Sequence, residues 1–159
     1  MQARFDTVMV VASENLDWGN AEYELLALKA NKWTAFKYTF DDMSPARLLN
    51  LPTKEIDSFN VEQQACYRML SLVFTDSILK MQDIDTIACV QKTKQGYSYP
   101  EISDANTVCV YLLTKATAYK KSYYAPGFYE GYCHNKFRKK FLRFVGEVKK
   151  IAGNRENWY

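Results

Sequence analysis

The stretch from Cys133 to Ala152 leaves the chain the fewest options, because a single kind of element satisfies its pattern. At about 100° per residue, Phe137, Phe141, Phe144, Val145, Val148, Ile151 and Ala152 fall on one side of a helix, in a stripe of core-facing width. Such a stripe must be buried. Arg138, Lys139, Arg143, Lys149 and Lys150 are placed opposite it, with Lys140 and Glu147 at the edge, which predicts a strongly cationic exposed side. Gly153-Asn154 is the expected stop, since glycine accepts the left-handed conformation of a helix C-cap. Basic residues in the last turn suit the negative end of the helix dipole.

Residues 115–150 carry ten Lys or Arg against two acids, Glu130 and Glu147, a local net of +8. A merely solvated face normally mixes signs, so this imbalance points to a polyanion. Phosphate is the commonest one, bound through counterion release that scales with the number of phosphates neutralised. The candidate nucleic-acid-binding residues are Lys120, Lys121, Lys136, Arg138, Lys139, Lys140, Arg143, Lys149 and Lys150. Two rival readings stand beside this one. The face is only solvated, or the helix lies on an anionic membrane surface through Phe141 and Phe144.

Charge is also split along the chain. Residues 1–80 hold eight basic and eleven acidic side chains, a net of −3, and the remainder holds thirteen and seven, a net of +6. The halves therefore attract one another, within one chain or between neighbours. With 48% hydrophobic and 25% charged residues the composition is that of a folded protein, and 159 residues suffice for one domain, expected to span 1–159. No run of about 18 apolar residues is present to cross a bilayer. The segment after Met1 lacks the length and cleavage site of a secretory signal, so a cytoplasmic location, or one within a virion, is expected. Cys66, Cys89, Cys109 and Cys133 are too scattered for a Cys-x-x-Cys zinc site and are read as buried free thiols. Twelve Tyr and nine Phe favour interfaces as well as cores.

The element pattern predicts a mainly α fold: a single-domain bundle of about five helices with at most a small strand or hairpin. Helices are expected from Asn20 through Ala30, from Ser44 to Leu49, over Val61–Gln82 behind an Asn60/Gln63 capping box, over Val108–Tyr124, and at the C-terminal stretch. The 61–82 helix is apolar on most sides, as in the centre of a bundle or a subunit interface. Residues 5–13, 33–40, 84–91 and 108–114 fit strand or helix, and 92–99 fits a hairpin tip. Ala125-Pro126-Gly127 would end one cationic helix and an aromatic turn would lead into the next.

Catalytic signals are thin. His134 is the sole histidine, adjacent to Cys133, and consecutive helical side chains point too far apart to form a nucleophile and base pair; it is read as packed and hydrogen-bonded. No P-loop, dinucleotide fingerprint or Gly-x-Ser-x-Gly is present, and no cofactor or metal is expected. Asp83, Asp85 and Lys92 would be the acids and lysine of a metal-dependent nuclease, the enzymatic alternative. Tyr97, Tyr99, Tyr119, Tyr123, Tyr124, Phe128, Tyr129 and Tyr132 interleave with lysines as on a single-strand stacking surface. The leading expectation is a non-enzymatic binding or assembly subunit, a homo-oligomer or part of a larger complex, that contacts nucleic acid through its cationic helix. A structural protein of a virus or mobile element fits that description.

Overall fold

The computed structural model describes residues 5–15, 20–40, 57–75, 78–80, 89, 91–98 and 100–152. Its architecture is a sheet with helices packed on it, not the expected bundle. Four strands, β1 (Thr7–Asn15), β2 (Asn20–Lys29), β3 (Lys32–Phe40) and β4 (Asp57–Asn60), precede the helix α1 (Gln63–Thr75). A small hairpin of β5 (Gln91–Thr93) and β6 (Gly96–Ser98) follows, then β7 (Thr107–Thr114), β8 (Ala118–Tyr124), the short helix α2 (Pro126–Tyr132) and the basic helix α3 (Lys136–Ile151). The main sheet is antiparallel with order β4-β3-β2-β1-β7-β8.

Two expected helices are therefore strands. Glu22, Glu24, Leu25, Leu26 and Leu28 are good helix formers, but β2 is sandwiched between β1 and β3, and Ala30 and Asn31 adopt positive φ (48° and 62°) in the two-residue link to β3. Those signs are what a tight hairpin with right-handed strand twist requires. Tertiary pairing has overridden local propensity. The expected helix over Val108–Tyr124 is the β7–β8 hairpin: its apolar opening is β-branched and its Lys-rich continuation alternates sides at period two. Residues 7–13 and 33–40, ambiguous in sequence, are strand as well. Lys94 and Gln95 turn the β5–β6 hairpin, with Gly96 at φ 130°, a value open to glycine. The expected helix at Ser44–Leu49, the apolar segment 84–88 and the Gly153-Asn154 stop lie outside the described residues.

On one sheet face Met9, Val11, Leu26, Trp33, Ala35, Val108, Val110 and Leu112 form the main core with Cys66, Met69 and Val73 of α1 and Phe141, Phe144, Val145 and Val148 of α3. The opposite face has its own apolar layer, Val8, Val10, Leu25 and Ala27, ringed by Phe5, Tyr23, Phe36 and Tyr111. The Phe5 and Phe36 rings meet edge to face at 5.8 Å.

α1 is shorter than the expected 61–82 element, and Gln63 is not half of a capping box. Its side-chain amide extends the sheet past the end of β4: Oε1 accepts the Trp33 amide at 2.6 Å, and Nε2 donates to the Trp33 and Val61 carbonyls, each at 3.0 Å. α2 begins with Pro126 at its first position, so Ala125-Pro126-Gly127 starts a helix where a helix end was expected. Asn135 caps α3, its Oδ1 accepting from the amides of Phe137 at 2.8 Å and Arg138 at 3.4 Å.

Candidate functional site

The apolar stripe of α3 packs where the periodicity put it, with Phe141, Phe144, Val145 and Val148 buried against the sheet. The cations do not all lie opposite. Lys136, Lys139, Lys140, Arg143 and Lys150 are exposed along one side of the helix. Arg138 and Lys149, both 2% exposed, are buried on the flank beside Val145. Helical geometry explains it: Lys149 follows Val145 by four residues, so the two point within about 40° of one another.

What receives these inward charges is a set of acids. Glu24, on the helix-facing side of β2, is wholly buried and its Oε1 lies 3.6 Å from Lys149 Nζ. Glu22 Oε2 lies 4.0 Å from the same nitrogen, and Glu22 Oε1 is 2.6 Å from Lys37 Nζ on β3. Two carboxylates and two ammonium groups thus form one alternating row between helix and sheet. The attraction between an acidic N-terminal half and a basic C-terminal half is in part an internal contact of the fold.

Arg138 enters a different environment. Nη1 donates to the Cys133 carbonyl at 2.9 Å and lies 3.5 Å from Cys133 Sγ, Nη2 lies 3.8 Å from Cys89 Sγ, and Glu130 Oε2 lies 3.9 Å from Nη1. Burial pulls the guanidinium's pKa down and Glu130 opposes that pull; an arginine stays charged under both influences. Cys89 and Cys133 are joined in a disulfide, so only Cys66 and Cys109 are the buried free thiols the spacing suggested. Burial pushes the Cys66 thiol up to about 11, and burial followed by the nearby Glu14 carboxylate raises Cys109.

The two cations of β8 separate. Lys121 points to the helix side and is buried, its Nζ 5.4 Å from the centre of the Tyr123 ring. Lys120 points to the other face of the sheet, 5.3 Å from the centre of the Tyr111 ring. Neither joins the surface of α3, so the expected single face built by two cationic helices does not form. The aromatic run is dispersed too. Tyr123 and Tyr129 are buried, Tyr97 sits on the small hairpin, Tyr119 and Tyr124 point to opposite faces of β8, and Tyr99 is outside the described residues.

Three of the exposed cations, Lys140, Arg143 and Lys150, border a groove of about 550 Å³ between α1 and α3, and Lys136 and Lys139 extend the same side of the helix beyond it. Val61, Ala65, Met69, Leu72, Ile78, Phe144 and Ile151 supply its apolar part, Lys140, Arg143, Glu147 and Lys150 its α3 wall, and Glu62 and Arg68 its α1 wall. Arg68 and Glu62 pair with each other at 3.5 Å. Among the described residues no ion pair engages Lys139, Arg143 or Lys150. Arg68, on the α1 wall, is not among the contact residues expected from the sequence, where the 61–82 helix reads as apolar on most sides.

The other candidates fall as follows. Phe141 and Phe144 are in the core, which removes the apolar contacts that a membrane-lying α3 would use. No helix of the described residues is long and apolar enough to cross a membrane. His134, read as packed, is exposed with Nδ1 3.5 Å from Glu130 Oε1. Asp83 and Asp85 lie outside the described residues, and Lys92 is an exposed residue of β5. Among the described residues no group of three or more His, Cys, Asp or Glu is placed to hold a metal ion. Comparison of the chain with protein-family models, curated proteins and solved structures found no match.

Proposed function

We propose that this protein is a non-enzymatic binding subunit that holds nucleic acid on the outer side of α3, along the wall of the α1–α3 groove. The observation that carries the reading is the sorting of charge on one helix. Arg138 and Lys149 are turned inward, where Glu130, Glu24 and Glu22 neutralise them, whereas Lys136, Lys139, Lys140, Arg143 and Lys150 stand outward with Glu147 as the single acid among them. An outward row of cations suits a phosphate backbone, because each cation that neutralises a phosphate displaces condensed counterions into solution. Such contacts fix position and affinity and carry no base sequence. Assembly with other copies or other proteins belongs to the same reading, supported by exposed rings such as Phe74, 62% exposed on α1. Light scattering that shows a strict monomer at high concentration would remove the assembly part.

Binding to labelled single-stranded and duplex DNA, measured at two salt concentrations, tests the nucleic-acid part. The variant Lys139→Ala/Arg143→Ala/Lys150→Ala changes exposed residues and spares the buried ones. Its slope of log affinity against log salt is expected to be shallower than wild type by about 2 to 3, because each phosphate contact contributes about 0.7 on a single strand and 0.9 on a duplex. Equal affinities and equal slopes for the two proteins would sink the reading.

A further inference from the structure

Away from the groove, at the junction of α2 and α3, one guanidinium touches both sulfurs of a disulfide. Cys89 and Cys133 are bonded, with Cα atoms 5.3 Å apart. Arg138 Nη1 is 3.5 Å from Cys133 Sγ and Nη2 is 3.8 Å from Cys89 Sγ. Its other neighbours are the Cys133 carbonyl at 2.9 Å, the Tyr129 ring at 5.9 Å and Glu130 at 3.9 Å. Glu130 is shared: its Oε2 also accepts the Asn135 amide at 3.1 Å and its Oε1 faces His134.

Disulfide sulfurs are neutral and poor acceptors. A thiolate is a full anion, and a guanidinium beside it makes charge-assisted contacts and lowers the thiol's pKa. Placing Arg138 against both sulfurs therefore favours the reduced pair far more than the oxidised one. A purely structural bridge gains little from a buried cation at this spot. We propose that Cys89 and Cys133 form a thiol–disulfide exchange site, that its co-substrate is a low-molecular-weight thiol, and that Arg138 holds the thiolate.

The steps balance. A thiolate RS⁻ attacks the sulfur of Cys133, which is partly exposed, whereas Cys89 is fully buried. The S–S bond breaks and its electron pair leaves on Cys89 Sγ beside Nη2. Cys89 takes back from water the proton that the incoming thiol lost on ionising, and the Tyr129 carbonyl, 3.8 Å from its sulfur, accepts from the S–H so formed. A second RS⁻ attacks the outer sulfur of the mixed disulfide, RSSR departs, and Cys133 is released as a thiolate beside Nη1. Two thiols are oxidised to RSSR while the protein disulfide is reduced by two electrons, and the reverse sequence restores the bond. Arg138 from α3 contacts the Cys133 sulfur, and the titratable groups around that guanidinium are Glu130 and Tyr129 from α2 and Tyr123 from β8, with His134 next to Cys133 in the chain. Arg138 is the one fixed cation among them.

The test begins with fully reduced protein, alkylated with iodoacetamide between pH 6 and 9 and mapped by peptide mass spectrometry. Cys133 is expected to react with a midpoint below the free-thiol value of about 8.5, while Cys66 and Cys109, buried with raised pKa values, stay unmodified. In Arg138→Met the rate at Cys133 at pH 7 should fall about tenfold, the effect of losing one close opposite charge; Arg138→Lys should restore part of it. Glutathione and its disulfide should interconvert the two states of the wild-type pair. A Cys133 midpoint at the free-thiol value, or an unchanged rate in Arg138→Met, would overturn the proposal. Because Arg138 is buried, Cys89→Ser serves as a second variant that leaves the guanidinium in place. It must alkylate at Cys133 as fast as the reduced wild type, and a tenfold loss there would show that Cys89, not Arg138, activates the thiol.

Discussion

Lys149 Nζ lies 3.6 Å from Glu24 Oε1, a cation from the outermost helix against a wholly buried carboxylate of the sheet. Removing one member of such a pair leaves the other charged in a dry site, which costs more than the pair itself contributes. Lys149→Met is expected to destabilise the protein by about 3 kcal/mol. Adding Glu24→Leu should return stability to within about 1 kcal/mol of wild type, since an apolar pair of similar size satisfies the same space. Urea titrations of the two single variants and the double variant supply the cycle, and strict additivity would contradict the coupling.

Arg138 and Arg143 differ by five positions on one helix and by everything in their surroundings. Arg143→Glu, on the exposed wall of the groove, should change stability by no more than about 0.5 kcal/mol. Arg138→Glu puts a carboxylate against Glu130 in a buried site and should cost several times more, on the order of 3 kcal/mol. Parallel thermal melts distinguish them, and similar losses at both positions would contradict the inward and outward sorting of charge.

Gln63 satisfies both the amide and the carbonyl of Trp33 with one side chain. Gln63→Ala leaves two backbone groups without those partners at the end of β3, with an expected cost of about 2 kcal/mol. Gln63→Glu, with its carboxyl protonated, keeps the acceptor and one O–H donor in place of two N–H donors, so it should fall between alanine and wild type at a pH where the carboxyl is protonated. Chemical denaturation of the three proteins gives the order.

Burial holds the Cys66 thiol near 11 in the folded protein, against 9.0 for the unperturbed group. A group whose folded pKa is raised contributes stability that is complete below the unfolded value and is lost as pH climbs toward the folded one. Between pH 8 and pH 10 this thiol should remove about 1 kcal/mol, at about 1.4 kcal/mol per pKa unit. Cys66→Ala deletes that component. The variant's stability should decline less steeply than wild type over this interval, and parallel profiles would count against the assignment.

The sequence exposed α3 and hid the sheet, for identifiable reasons. A repeat of 3.6 residues over sixteen positions is a local signal, and α3 obeys it from Phe137 to Ile151. β2 carries no comparable signal: Glu22 and Glu24 look like first-turn helix acids, and their partners, Lys37 and Lys149, come from β3 and α3. The alternation of Tyr119, Lys121 and Tyr123 in β8 is a period-two signal, masked because lysine ordinarily faces solvent. Arg138 and Lys149 are hidden for the same reason, although they lie within about 20° and 40° of Val145 around the helix. Of the nine predicted contact residues, Lys136, Lys139, Lys140, Arg143 and Lys150 share one surface. Arg68, brought alongside them by the packing of α1 on the sheet, had no sequence signature at all.

The central strand β1 has one neighbour, β2, immediately after it in the chain, and the other, β7, only after α1 and the β5–β6 hairpin, with Val11 opposite both Glu24 and Val110. During synthesis the β1–β2–β3 meander emerges before β7, and its β1 edge stays bare until β7 has left the ribosome. Contacts of such wide sequence separation slow folding, because a long loop must close before any pairing rewards it. A bare apolar edge is meanwhile a template for other strands. For this chain the time between making β1 and making β7 is therefore the interval of greatest exposure to aggregation, and in the cell it is set by the rate of translation.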